Sequence, residues 1–276
     1  MTRKRNVHNI IAALTFTFAL FGDVKAALAA PIGFAVDLDS NLYVIDLGGG
    51  TAVLVGATGV FLEAIALSPT GDLFGTDTSG RLYSIDTTTG LATLIGGTDR
   101  GNIEALDFLG STLVGVDFAV TPTAFSIDTT TAATTDIVTA TTSTGLVRAG
   151  ALLDGNTMLI RGDDGCVSST SGQNCLWSLN LVTGVPTSLG DIETGADNLV
   201  TGLDFASDGL FYGLDSSGQL FVVDPTTAAV SGIVDLGDQF WLGFTTAAVP
   251  EPATLGLIGL AISAAAWRRR RSRVSS

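Results

Sequence analysis

Leu42-Tyr43-Val44-Ile45-Asp46 is the first of five related segments in this 276-residue chain, and their repetition decides the fold. The other four begin at Leu82, Ala124, Leu176 and Leu220, and their last residues lie 40, 42, 52 and 44 positions apart. Aromatic and β-branched residues favour strands, and turn residues follow each segment. Further strand patterns flank every copy. Four short strands in a repeat of about forty residues is typical of a propeller blade.

The first repeat lacks one strand. It contains strand patterns over residues 33–37, 42–46 and 51–56, whereas a surplus pattern over residues 240–245 stands at the far end of the body. Pairing of the surplus strand with the first repeat would close a ring and remove its exposed edges. The sequence therefore predicts an all-β, five-bladed propeller over residues 31–248. An incomplete ring that oligomerises and an open β-solenoid remain alternatives.

The charge of the body excludes several functions. Between Pro31 and Val249 there are 25 Asp and Glu, no Lys and only four Arg, which gives a net charge of −21. Such a surface repels phosphate backbones, so nucleic acid is not an expected partner. The sole histidine, His8, lies near the N-terminus, so the body has no imidazole for a Ser-His-Asp mechanism or a His-ligated metal.

Both ends of the chain have the composition of targeting segments. Arg3, Lys4 and Arg5 precede an apolar run over residues 10–21, and small residues follow at 26–30. This order predicts a signal peptide over residues 1–29. An uncleaved anchor helix is the alternative.

The C-terminal end carries a distinct motif. Pro250-Glu251-Pro252 precedes an apolar run over residues 253–267, which is followed by Arg268, Arg269, Arg270 and Arg271. The run would form a helix of about 22 Å, shorter than the hydrocarbon core of about 30 Å. Arginines are retained on the cytoplasmic side, which leaves the body outside. An ordinary tail anchor is the alternative.

This tail, residues 249–273, resembles the PEP-CTERM sorting signal. The resemblance implies processing by an exosortase, with Pro250, Glu251 and Pro252 as the recognition motif and the arginine cluster as the element that retains the precursor. It also implies a transient anchor in the inner membrane, delivery to the cell surface or medium, and a producer of extracellular polysaccharide. The body is more loosely similar to an uncharacterised propeller-like family that often carries this tail and has no assigned activity.

Two cysteines and five channel positions are candidate functional residues. Cys166 and Cys175 lie in one Gly/Ser-rich connection, and in an exported protein they predict a disulfide that staples it. Alignment of the predicted first strands, which line a propeller's channel, gives a candidate channel site at Glu63, Glu104, Asp107, Arg148 and Asp204.

The channel residues have two interpretations. A network of acids around Arg148 satisfies the channel structurally, which favours a non-catalytic surface or matrix protein linked to extracellular polysaccharide. A pair of carboxyls roughly 5–10 Å apart would instead permit a glycosidase. No catalytic residue and no metal ligand is predicted, and no cofactor is expected, with calcium at an acidic propeller site as the alternative.

Overall fold

The computed structural model describes residues 31–164, 174–194 and 198–247, and every regular element in these ranges is a β-strand. The strands in chain order are β1 (Ile32–Asp37), β2 (Asn41–Asp46), β3 (Thr51–Ala57), β4 (Ala64–Leu67), β5 (Leu73–Thr76), β6 (Arg81–Ile85), β7 (Ala92–Gly97), β8 (Ile103–Leu109), β9 (Thr112–Asp117), β10 (Thr123–Ile127), β11 (Thr134–Thr139), β12 (Ala149–Asp154), β13 (Thr157–Gly162), β14 (Cys175–Asn180), β15 (Pro186–Asp191), β16 (Val200–Phe205), β17 (Phe211–Asp215), β18 (Gln219–Val223), β19 (Val230–Asp235) and β20 (Trp241–Ala247).

These strands form five four-stranded antiparallel sheets. Four sheets use consecutive strands, namely β4–β7, β8–β11, β12–β15 and β16–β19. The fifth has the order β20-β1-β2-β3, so it combines the last strand with the first three. The predicted five-bladed propeller is thus confirmed. We number the blades from one, which contains β1, to five, which contains β16–β19. Within each blade the strands are counted from the ring axis outward, so the first strands are β20, β4, β8, β12 and β16.

The closing strand β20 lies antiparallel to β1, with Phe34 opposite Thr245 and Ile32 opposite Ala247. Trp241 is completely buried and its ring contacts Tyr43 edge-on, with centroids 4.9 Å apart. Phe240, the first residue of the predicted strand pattern, does not belong to the core. It precedes the strand and is 47% exposed.

Aspartates hold the connections between strands. At the hairpins between second and third strands, the carboxylate of Asp37 accepts the Asn41 N–H at 2.8 Å, and that of Asp77 accepts the Arg81 N–H at 2.9 Å. Between third and fourth strands, Asp86 accepts the N–H groups of Thr88 and Thr89 at 2.8 and 3.0 Å. Short side chains of this kind satisfy turn amides, which explains why three repeats carry an Asp at the first position and four carry one at the second.

The core consists of apolar clusters between neighbouring blades. One of them joins Phe34 and Leu42 of blade one to Ile65 and Tyr83 of blade two. Burial of each large side chain stabilises the ring by roughly 1.5–3 kcal/mol. The blades also meet through backbone: a Cβ added at Gly56 would lie 2.2 Å from the Thr89 carbonyl oxygen, so only glycine fits that junction.

The ring has two faces with different chemistry. The arginine face is the end where the first strands begin, and all four arginines of the body lie there. Arg81 begins β6, Arg100 precedes β8, Arg148 precedes β12, and Arg161 pairs with the first residue of β12. The turn face is the opposite end, where first strands turn into second strands, and none of the described residues there is basic.

Several predictions concern segments outside the described residues. The signal peptide, the sorting motif, the arginine cluster and Cys166 are among them. Within the ranges that are described, no helix is long and apolar enough to cross a membrane.

Candidate functional site at the two mouths of the channel

The first strands of the five blades surround the ring axis and nearly fill it. The cavity between them measures about 10 Å³ and is lined by Glu104, Leu106, Thr201 and Phe244 among others. That volume holds about one water molecule. The channel interior is therefore too small for a ligand, so the channel itself could bind one only at its mouths.

The structure divides the five candidate channel residues between these mouths. Glu63, Glu104 and Arg148 lie at the arginine face, whereas Asp107 and Asp204 lie near the turn face. Glu104 and Asp107 belong to the same strand, and three residues of strand separate them by roughly 10 Å. The candidates thus form two separate groups.

At the arginine face the acids are part of an ion network. Arg148 Nη1 lies 3.6 Å from Glu104 Oε2, and Asn102 Nδ2 donates to Glu104 Oε1 at 2.6 Å. The Arg148 guanidinium also lies over the Phe118 ring, 4.8 Å from its centroid. Burial, together with the neighbouring carboxylate of Glu63, raises the pKa of Glu104 to about 7.

Sequence reasoning missed a second arginine in this network. Arg161 is completely buried, donates from Nε to Asn174 Oδ1 at 3.0 Å and lies 2.5 Å from Asp163. Burial lowers the pKa of Arg161 to about 10. Other blades place Thr76 or Val116 at the equivalent register, so the repeat gives no signal for a buried cation there.

At the turn face, Asp204 ties two first strands together. Its Oδ2 accepts hydrogen bonds from the Thr246 N–H at 2.6 Å and from the hydroxyls of Thr245 and Thr246 at 2.9 and 3.2 Å. Its Oδ1 accepts the Phe205 N–H at 2.7 Å. The Thr246 hydroxyl also lies 2.8 Å from the Phe205 carbonyl oxygen, to which it can donate its single proton. The contacts are thus concentrated on Oδ2, and Oδ1 keeps one lone-pair position.

Asp107 makes a similar but less saturated connection. Its Oδ2 accepts the Leu152 N–H of β12 and its Oδ1 the Phe108 N–H, both at 2.6 Å. Burial and the charge of Asp204 raise the pKa of Asp107 well above its usual range, and burial raises that of Asp204. This pair accordingly holds protons more tightly than ordinary carboxyls do.

A cavity of 240 Å³ opens beside the acid pair, lined by Ser68, Asp107, Phe108, Asp204, Phe205 and Ser207 among others. The two phenylalanines were not predicted as site residues. The available signal was the dipeptide Asp-Phe, which occurs at the same place in two first strands. Among the residues that the structure describes, no three acidic, Cys or His side chains are grouped as a metal site would require.

Comparison with known proteins identifies the tail. Residues 248–271 match the family model of the PEP-CTERM protein-sorting motif. No curated protein matches the chain in sequence. Among solved structures, it is similar to a chain in the crystal structure of a nidogen/laminin complex, at 15% identity over 80% of this chain and 86% of that chain, with a TM-score of 0.49.

The sorting motif and the fold together define the class. The motif implies export, transit through a membrane anchor and exosortase processing. The chain is thus an exported five-bladed propeller with a PEP-CTERM sorting motif.

Proposed function

We propose that the propeller is a non-catalytic binding or scaffold module, displayed at the cell surface or in an extracellular matrix, and that its partner is extracellular polysaccharide. The observation that carries this proposal is the use of the inner carboxylates as structural links. Asp204 joins β16 to β20 and Asp107 joins β8 to β12. Hydrogen bonds that hold neighbouring blades together occupy lone pairs that a catalytic carboxylate would need to act on a substrate.

A glycosidase is the second candidate, because Asp107 has the raised pKa of a general acid and lies in a cavity. Hydrolysis of a glycoside requires a second carboxyl as nucleophile or base. Asp204 is the neighbouring carboxyl, and its hydrogen bonds to the Thr246 N–H, the Thr245 hydroxyl and the Phe205 N–H leave at most one lone pair, on Oδ1, for that role. The arrangement therefore favours binding without cleavage.

The partners and cofactors follow from this role. Exosortase is the processing partner, and the polysaccharide is bound after release from the inner membrane. Recognition of a polysaccharide by hydrogen bonds and ring contacts needs no cofactor. A calcium ion in an acidic loop would be an addition to this scheme rather than a requirement.

The test uses the purified body, residues 30–249, and polysaccharide from the producing organism. We expect co-sedimentation of protein with polysaccharide and no increase in reducing ends over a day of incubation. New reducing ends that disappear in an Asp107→Asn variant would establish the glycosidase. Absence of both binding and cleavage would overturn the proposal.

We also propose that Cys175 is bridged to Cys166 and that the bridge staples the connection between β13 and β14. Cys175 is fully buried, and no described cysteine is free. Labelling of the denatured, unreduced protein with a thiol reagent should modify neither residue. A bridge closing so short a loop contributes a few kcal/mol at most, so Cys166→Ala should leave the ring folded.

A further inference from the structure

We propose that the turn face carries a binding groove for a neutral polysaccharide, which runs from the cavity beside Asp107, across Phe205, to the outer strands of blade five. This inference rests on the proposed binding function and adds the place and the chemical class of the ligand. It selects the turn face over the arginine face.

The shape of the surface supports an extended ligand. The cavity of 240 Å³ at the channel mouth is adjoined by a second one of 410 Å³ in blade five, and Phe205 lines both. The second cavity continues past Leu210 and Val222 to Val230 on the fourth strand. Two cavities that share Phe205 follow one another across the blade, which suits a linear chain of sugars better than a single compact molecule.

An aromatic ring at the centre of the path is held in place by the fold. Phe205 is partly exposed and is stacked on the buried Phe211, with centroids 4.4 Å apart and an angle of 19° between the planes. The negative face of an aromatic ring attracts C–H groups. A sugar ring presents C–H groups on its faces and hydroxyls at its edge, so a fixed phenylalanine between two cavities matches it.

Polar groups at the inner end match the hydroxyls. Asp107 receives two hydrogen bonds, so about two of its lone-pair positions remain for a ligand. Burial and the charge of Asp204 raise the pKa of Asp107. Ser68 and Ser207 contribute hydroxyls to the same cavity. The hydroxyls of a neutral sugar both donate and accept hydrogen bonds, so they can pair with the Asp107 carboxyl and with these two serines.

Charge selects among polysaccharides. Asp208 belongs to the turn beside the inner cavity and Asp224 lines the outer one, while every arginine of the body lies on the other face. With a net charge of −21 in the body, an acidic polymer would be repelled from this groove. The ligand is therefore a neutral polysaccharide rather than a uronate, sulfate or phosphate polymer.

A pair of tryptophan substitutions tests the location. Ser207 is exposed at the rim of the inner cavity, so Ser207→Trp fills the groove without changing the core. Ser111→Trp is the matched control, because Ser111 is an exposed serine in the corresponding turn of blade three and does not line the groove. Melting temperatures of both variants equal to that of the wild type would show that both are folded.

The binding measurement uses polysaccharide from the producing organism and a panel of soluble glucans, mannans, galactans and uronic-acid polymers, titrated at low and high salt. We expect binding of neutral polymers only, a loss of at least tenfold in affinity for Ser207→Trp, and no change for Ser111→Trp. Binding that Ser207→Trp leaves intact would overturn the groove but not the binding function. Preference for uronic-acid polymers would overturn the ligand class. Failure of every polymer to bind would overturn both proposals.

Discussion

One hairpin position is occupied by an aspartate in three blades, at Asp37, Asp77 and Asp215. The first two accept a hydrogen bond from a tyrosine hydroxyl, and the third does not. The hydroxyls of Tyr43 and Tyr83 donate to Asp37 and Asp77, both at 3.0 Å. Blade five has Phe221 at the equivalent position, and Asp215 Oδ2 is buried there without a hydrogen-bond partner among the described residues. A buried acceptor that lacks a donor costs about 1–3 kcal/mol.

This difference predicts a stabilising substitution. Phe221→Tyr should place a hydroxyl against Asp215 and raise the free energy of unfolding by about 1 kcal/mol, measured by urea denaturation. The reverse substitution Tyr83→Phe should lower it by a similar amount. If Tyr83→Phe destabilises the protein while Phe221→Tyr brings no gain, the equivalence of the two hairpins is wrong.

The acid pair predicts a pH dependence. The pKa of Asp204 is about 6 in the fold, against about 3.9 when unfolded. A raised pKa contributes stability that is fully present below about pH 4 and is lost as pH rises through about 6, by about 3 kcal/mol at most. Urea midpoints between pH 4 and 7 should therefore fall more steeply in the wild type than in Asp204→Asn.

The exposed Asp224 supplies the control for that experiment. Hydrogen bonds from Thr226 lower the pKa of Asp224, so its contribution is lost only as pH falls through that lowered pKa. Asp224→Asn should accordingly keep the wild-type slope between pH 4 and 7. If the urea midpoint changes with pH equally in the wild type, Asp224→Asn and Asp204→Asn, then the pKa of Asp204 is not raised and the prediction is wrong.

At the scale of the element, the strand signature of the repeat specifies most of the blade. Alternating apolar residues and turn-forming Asp predicted the third strands to within a residue, as for β2 and β18. The closing strand was predicted because the first repeat lacked a partner. The first residue of the closing strand was not predicted correctly, because Phe240 and Trp241 are both large and apolar. Only the register of β20 against β1 shows that Trp241 is buried and Phe240 is exposed.

These adjacent aromatic residues provide a test of ring closure. Trp241→Ala should cost about 3–5 kcal/mol, because it removes a fully buried side chain between blades one and five. Phe240→Ala should change stability by less than about 1 kcal/mol, because that ring is half in solvent. Thermal melting of both variants measures the difference. Equal losses would contradict the packing of β20 in the ring.

At the scale of the whole molecule, the distribution of charge was only partly visible in the sequence. The net charge of the body and its lack of lysine follow from composition, but the placement of all arginines on one face depends on strand direction. The split of the candidate site has the same cause. Glu104 and Asp107 are three residues apart in sequence, yet a nearly filled channel lies between the mouths that they occupy.

The ring also explains which parts of the precursor are dispensable. The last described strand ends at Ala247 and the sorting motif begins at residue 248, so removal of the tail takes nothing from blade one. We infer that this chain is a folded ring with two removable ends, as export and exosortase processing require.

Intact-mass measurement of the protein recovered from the producing cells tests that claim most directly. We predict one mature species whose N-terminus lies near Ala30 and whose C-terminus lies near Pro250. Such a species lacks both the apolar N-terminal segment and the arginines at 268–271. Recovery of the full-length chain, with those arginines still attached, would contradict processing at the sorting motif and leave a permanently anchored protein.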